Sequence, residues 1–150
     1  MPMISDKDSK AIRDHFARQL KNPVVIDHFT QGASPGEMPI QECEYCRETT
    51  QLLQEVAALS GQITLRVHDF VSEADRAREM GVVRIPTFAL SGKAKGRVRF
   101  VGIPTGYEFS SLIESLVDVA NGTTDLSPKV ADEIGVLRKD VHIQVFGTPT

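Results

Sequence analysis

A chain of 150 residues, 41% hydrophobic and 25% charged, is long enough to bury one substantial core and has a folded protein's composition, not a disordered one. Its formal net charge is -3 with basic residues scattered along it, which removes the broad electrostatic attraction that binding to nucleic acid or an anionic membrane surface needs. No apolar run approaches the roughly 18 residues of a membrane span, Met1 to Lys10 is polar where a secretory leader is greasy, and two cysteines are too few to staple a small secreted domain. The expectation is a cytoplasmic protein with neither nucleic acid nor membrane as partner.

In chain order, Ser5 and Asp8 form an N-cap signal, and Ile12, Phe16 and Leu20 then recur every fourth residue. That helix stops at Asn22-Pro23. Val24 to Phe29 is β-branched and aromatic and reads as a strand, in which Asp27 and His28 need solvent or partners. Gln31 to Gln41 holds two glycines and two prolines and is a loop. From Glu44 to Leu59 the positions Leu52, Leu53, Val56 and Leu59 predict a helix with Cys43 at its N-terminus and a left-handed stop at Gly61. Ile63 to Asp69 alternates as a half-buried strand. Ser72 with Asp75 makes a capping box for a helix carrying Ala74, Ala77 and Met80 and closed by Gly81. Thr87–Leu90 and Arg97–Val101 read as strands of a hairpin, and Tyr107–Ala120 as a long amphipathic helix ended by Asn121-Gly122. Strands joined by single helices pair in parallel with right-handed crossovers, whereas a hairpin is antiparallel, so an α/β fold with a mixed sheet and helices on both faces follows.

The tail repeats the opening pattern. Ser127–Lys139 reads as a short helix and Val141–Phe146 as a strand whose VHIQVF sets Val, Ile and Phe where VVIDHF has them. A second copy of the same helix-strand unit is one reading; a helix and strand completing the first sheet is the other.

Cys43 and Cys46 carry the chemistry. Residues three apart share a helix face, with β-carbons roughly 5–6 Å apart and able to close to disulfide distance in a first turn. Free amides and the helix dipole favour a thiolate at the outer Cys43, while Cys46, one turn in, is the buried partner. One sulfur attacks a substrate disulfide and the other resolves the mixed disulfide. Zinc needs two more ligands, and His15, His28, His68 and His142 show no ligand spacing. A cluster shared across a dimer, or a silent pair in a binding or scaffold module, are further alternatives. Glu42, Glu44 and Glu48 surround the pair with Arg47 as the nearby cation. A unit negative charge at roughly 6 Å costs a thiolate about 0.7 kcal/mol at water's dielectric and about 2.8 at an effective value of 20. The helix end returns roughly 0.3–1 kcal/mol. Glu44, between the cysteines, is therefore expected to tune the pKa of Cys43.

A cysteine pair opening a helix, about 40 residues before the Ile85-Pro86-Thr87 strand, in this order of elements, resembles the thioredoxin and glutaredoxin superfamily. Cys43-Glu44-Tyr45-Cys46 is similar to the glutaredoxin Cys-Pro-Tyr-Cys motif, and Ile85-Pro86-Thr87 looks like its cis-proline loop. The chain is most similar to the N-terminal unit of the tandem protein disulfide oxidoreductases, through Met3–Asp6, Asn22-Pro23-Val24, Gly102–Phe109 and Val117–Val119. The resemblance implies a thioredoxin-like domain over 5–122 with an extra N-terminal helix, and over 123–150 a linker helix and the first strand of a second unit. It implies Cys43 as nucleophile, Cys46 as resolving thiol, and Ile85, Pro86 and Tyr45 as the substrate-binding edge. No metal and no organic cofactor are implied. Implied partners are protein disulfides or dithiols, a peroxiredoxin among them, with a flavoprotein disulfide reductase or a small thiol as electron donor. In thioredoxins a buried carboxylate beneath the cysteines assists proton transfer; Asp27 or His28 falls near that place. Two departures stand out: Glu44 replaces the usual proline or polar residue, and Thr30–Gln41 is longer than the family's connection from strand to cysteine.

Overall fold

The computed structural model describes residues 1–32 and 43–147. Most of the loop expected over Gln31–Gln41, and Glu42 after it, lies outside the described residues, as does 148–150. The elements run α1 (Asp6–Gln19), β1 (Val24–Thr30), α2 (Cys46–Ala57), β2 (Ile63–Asp69), α3 (Ala74–Glu79), β3 (Thr87–Ser91), β4 (Val98–Val101), α4 (Tyr107–Asn121) and α5 (Pro128–Gly135). The four strands form one mixed sheet in the order β2-β1-β3-β4. β1 is parallel to β2, with Val24 opposite Ile63, and antiparallel to β3, which is antiparallel to β4.

Both faces of the sheet are covered, in accord with the α/β thioredoxin-like expectation. On one face Val24 and Ile26 of β1 and Phe88 and Leu90 of β3 join Phe16 of α1, Leu52, Leu53 and Val56 of α2, and Leu112 and Leu116 of α4. On the other, Phe29 and Ala89 meet Ala77 and Met80 at α3. This is the period-two rule applied to a strand with no wet side: successive residues of β1 enter opposite layers. Of its seven residues only Val25 is not fully buried. The extra helix α1 starts as expected, with the Ser5 hydroxyl accepting from the Asp8 amide. Its leading segment is clipped to α2 by Glu55, whose carboxylate accepts from the amides of Met3 and Ile4.

Several local expectations need correcting. α2 begins at Cys46, two residues after the expected start, so Cys43 precedes the helix. Gly61 takes no left-handed conformation; α2 ends on Ala58 in the right-handed region. Asp69, not a Ser72–Asp75 capping box, receives the first free amides before α3, from Val71 (3.1 Å) and Ser72 (2.7 Å). An aspartate ending a strand folds an Asx turn there, and α3 then starts with no side-chain cap. In β2 the alternation breaks at its end, where Val67 is 37% exposed and His68 is buried. β3 and β4 form the hairpin, with a longer connection than the three-residue signal suggests. α5 is shorter than Ser127–Lys139, and residues 141–147 form no strand. A strand exists only through ladder bonds to a neighbour, and alternation cannot supply the neighbour.

His68 is buried because an acid waits for it. Its Nε2 lies 2.7 Å from Asp27 Oδ1 and its Nδ1 2.8 Å from Glu73 Oε2, while Arg76 Nη2 reaches the same Asp27 oxygen at 3.3 Å. The ring stacks on Phe29. This cluster ties β1, β2 and α3 together on the face away from α2. Removing one partner leaves a buried charge under-paired, which costs several kcal/mol. His68→Leu is expected to lower unfolding stability by about 3 kcal/mol in urea titrations followed by circular dichroism; a loss under about 1 kcal/mol would show that the cluster contributes little.

Candidate active site

β1, an interior strand, ends at Thr30, and after the connecting segment Cys43 precedes the start of α2. Cys43 and Cys46 are joined by a disulfide with their Cα atoms 5.5 Å apart. Cys46, first residue of α2, is 4% exposed, and Cys43, two residues ahead of the helix cap at Tyr45, is half-buried. Of the two bonded residues, Cys43 is thus the more accessible. Tyr45 offers no side-chain cap, so the first amides of α2 keep their partial positive charge beside the disulfide.

Glu44 and Tyr45 are exposed between the cysteines. The Glu44 carboxylate, hydrogen-bonded to the Tyr45 phenol, holds that phenol above its ordinary range, with the charge of Glu44, slight burial and Glu48 adding to the effect. Ile85 and Pro86, joined by a cis peptide bond, lead into β3. Pro86 is buried and Ile85 half-buried, and the Pro86 carbonyl accepts from the Gly102 amide at 2.8 Å.

Asp27 and His28 separate by strand alternation. Asp27 faces the α3 cluster, whereas His28, fully buried, lies on the α2 side. His28 Nε2 is 3.0 Å from Thr50 Oγ1, the Thr50 hydroxyl donates to the Cys46 carbonyl at 2.8 Å, and His28 Nδ1 is 3.4 Å from the Thr87 carbonyl. The ring edge meets Phe88. Burial pushes the His28 imidazole down to about 4; the Thr87 carbonyl works against that, and the charge of His68 adds to it. Sequence reasoning missed Thr50 and Thr87. Thr50 is four residues beyond Cys46, the spacing at which a helical threonine bonds back to a carbonyl, and that spacing was the available signal. Among the described residues no group of three or more His, Cys, Asp or Glu converges on a metal position.

Residues 40–114 match the family described as thioredoxin domain, a stretch that holds both cysteines, α2, β2, α3 and the β3–β4 hairpin. The chain belongs to this thioredoxin-domain family. A disulfide bridging the start of α2 in this fold is that of a thiol–disulfide oxidoreductase. The alkyl hydroperoxide reductase protein AhpF of Pseudomonas putida is 33% identical over 101 residues, covering 67% of this chain and 17% of that protein. Among solved structures, a protein disulfide oxidoreductase from Aeropyrum pernix superposes with a TM-score of 0.73 at 25% identity, covering 89% of this chain and 55% of the other. The AhpF protein of Enterococcus faecalis does so with a TM-score of 0.74 at 23% identity, over 91% and 62% of the two chains, and shows the shared fold. This thioredoxin-like chain spans a quarter or less of the first curated relatives it matches, 24% and 17% of their lengths.

Two measurements check this electrostatic reading. Removing the Glu44 charge is worth about 0.7 kcal/mol at water's dielectric, so Glu44→Gln is expected to raise the thiolate-to-thiol ratio at Cys43 about threefold, seen as a downward shift in a thiolate absorbance titration of the reduced protein. An unmoved titration rejects the tuning role. His28 takes a proton near 6.5 when unfolded but only near 4 when folded. Its neutral form therefore contributes stability in full above 6.5, and this is lost as pH falls toward 4, about 3 kcal/mol in all. Between pH 7 and pH 4 the wild type is expected to lose about that much more stability than His28→Gln; equal losses would contradict it.

Proposed function

We propose that this thioredoxin-like domain exchanges its Cys43–Cys46 disulfide with disulfides or dithiols of protein substrates. In the reducing direction the Cys43 thiolate attacks a substrate disulfide, a mixed disulfide forms on Cys43, and Cys46 then displaces the reduced substrate while closing the Cys43–Cys46 bond. The observation that carries this is the unequal exposure of the two bonded cysteines, Cys43 half-buried and Cys46 buried: an attacking cysteine must be reached, and a resolving one must wait. Tyr45, 46% exposed, and the Ile85-Pro86 edge are the proposed docking surface for the substrate peptide, with Val83, 79% exposed, beside it.

Similarity to an alkyl hydroperoxide reductase protein supports a peroxiredoxin as the disulfide partner and a flavoprotein disulfide reductase, or a small thiol, as the electron donor. Residues 5–122 form the exchanging unit in this reading, and 123–150 open a second one. The apolar side of α5 (Val130, Ile134) and the alternating Val141, Ile143 and Val145 are exposed, an apolar surface of the kind that further elements cover.

Reduction of insulin by dithiothreitol, followed by turbidity, tests the exchange. The domain is expected to accelerate precipitation well above buffer, and Cys43→Ser to return the rate to that of buffer. Unaccelerated precipitation, or full activity in Cys43→Ser, would favour a binding or scaffold module with a silent pair.

A further inference from the structure

β4 is an edge strand, and its side chains alternate between the two faces of the sheet. Val98 and Phe100 pack against the main core, so Arg99 and Val101 stand on the α3 side, paired with Ala89 and Thr87. There Arg99 closes the end of α3: its Nη1 donates to the Gly81 carbonyl at 2.6 Å and to the Met80 carbonyl at 3.2 Å. Gly81, left-handed at φ 68°, makes the room, since a β-carbon there would fall on Arg99 Nη1. The cap uses Nη1 alone. The N–H groups on Nη2 and Nε have no partner among the described residues. Arg84, exposed, also meets no carboxylate among the described residues, although its backbone is held by the Thr87 hydroxyl, which donates to the Arg84 carbonyl at 2.7 Å. Both arginines line one concavity of about 480 Å³, whose apolar wall includes the exposed Val83 and Val101.

Thr87 lines the same concavity and sets its place in the fold. It follows Pro86 directly, and its carbonyl is joined through His28 and Thr50 to the Cys46 carbonyl by contacts of 3.4, 3.0 and 2.8 Å. The concavity therefore adjoins the docking edge at the end of the sheet where α2 begins. Charge differs between the two sides of that edge. Glu44 and Glu48 are exposed at the start of α2, whereas Arg84 and Arg99 stand at β3 and β4. Glu79, in the last turn of α3, pairs with neither arginine. In a chain of formal net charge -3 this is a local inversion of sign.

A guanidinium with unused N–H groups in one plane matches the two oxygens of a carboxylate. Because Arg99 is already fixed by the end of α3, it loses less side-chain freedom on binding than a free surface arginine does. We propose that Arg84 and Arg99 determine substrate specificity by taking the side-chain carboxylate of an Asp or Glu in the polypeptide that docks along Ile85-Pro86. The preferred substrate is thus a protein disulfide with an acidic residue on the β3–β4 side of its cysteine, and an acid on the other side meets Glu44 and Glu48 and is repelled. As a statement about turnover this rests on the thiol-exchange reading; the capture of the carboxylate does not.

The test uses two peptides blocked at both ends, each with one internal disulfide and differing only by Glu or Gln next to a cysteine. The whole chain reduces them under dithiothreitol, and the uncatalysed rate is subtracted. At low salt the Glu peptide is expected to show a kcat/KM about fivefold higher, the worth of a good exposed ion pair, with the difference in KM and fading as salt is added. Arg84→Gln, at an exposed position, and Arg99→Lys, which keeps a donor for the α3 carbonyls, are each expected to bring the ratio toward one. Equal kcat/KM for the two peptides in the wild type overturns the proposal, as does a ratio that neither substitution lowers. A Gln peptide with a free C-terminal carboxylate that is preferred as strongly overturns it too. If insulin and both peptides go unreduced, the exchange reading has failed, and binding to the oxidised chain reads the site by itself. The Arg99 Nε–H resonance is then expected to shift with the Glu peptide and to stay in place with the Gln peptide; equal shifts, or none, overturn the proposal.

Discussion

β1 lies between a parallel and an antiparallel neighbour, so its backbone polar groups are committed to ladders on both sides and its side chains have no solvent face. Period-two alternation then decides everything polar about it. Asp27 must find its partners on the α3 side and His28 on the α2 side. A buried carboxylate without partners would cost several kcal/mol, as would a buried imidazole that keeps its charge. The sequence answers the first with His68 and Arg76, His68 being held in turn by Glu73, and the second with neutrality and Thr50. The α3 cluster fixes the helix that leads into Ile85-Pro86, and the His28 contacts reach the helix that Cys46 opens. The two sides of the site are thus set from one strand.

The site itself is economical. A disulfide placed where a helix starts needs no metal to poise it, because free amides and surrounding carboxylates act on the same sulfur with opposite signs. Glu44 is turned toward the Tyr45 phenol and is exposed, so solvent weakens its effect on the cysteines. On the buried side of α2, His28 reaches the Cys46 carbonyl through the Thr50 hydroxyl. The chain resembles one part of much longer relatives.

Much of this was legible in the residues, and what was not has definite causes. Ser5 with Asp8, the four-residue apolar spacing of Ile12, Phe16 and Leu20, and Gly122 after α4 are local signals, and the structure uses each locally. The mixed sheet followed from the order of elements. Errors arose where a tertiary partner outweighed a local pattern. His68 is buried against its alternation because Asp27 lies on the adjacent strand. Ser72 loses its capping role because Asp69, three residues earlier, engages its amide and its hydroxyl. A strand at Val141–Phe146 had the alternation and lacked the neighbour. Cys43 and Cys46 were readable because their chemistry lies in their spacing; the Thr50–His28–Thr87 line was not, because it joins residues from three elements.

The central claim is that the bond between Cys43 and Cys46 opens and closes as part of the protein's work. Equilibrating the chain in glutathione buffers of graded potential, then trapping free thiols by alkylation and counting them by mass, measures this directly. The account predicts a single two-electron transition between about -270 and -120 mV, the span of working thiol–disulfide couples. A bond still closed at potentials below about -300 mV would mark it as a structural crosslink and contradict the account.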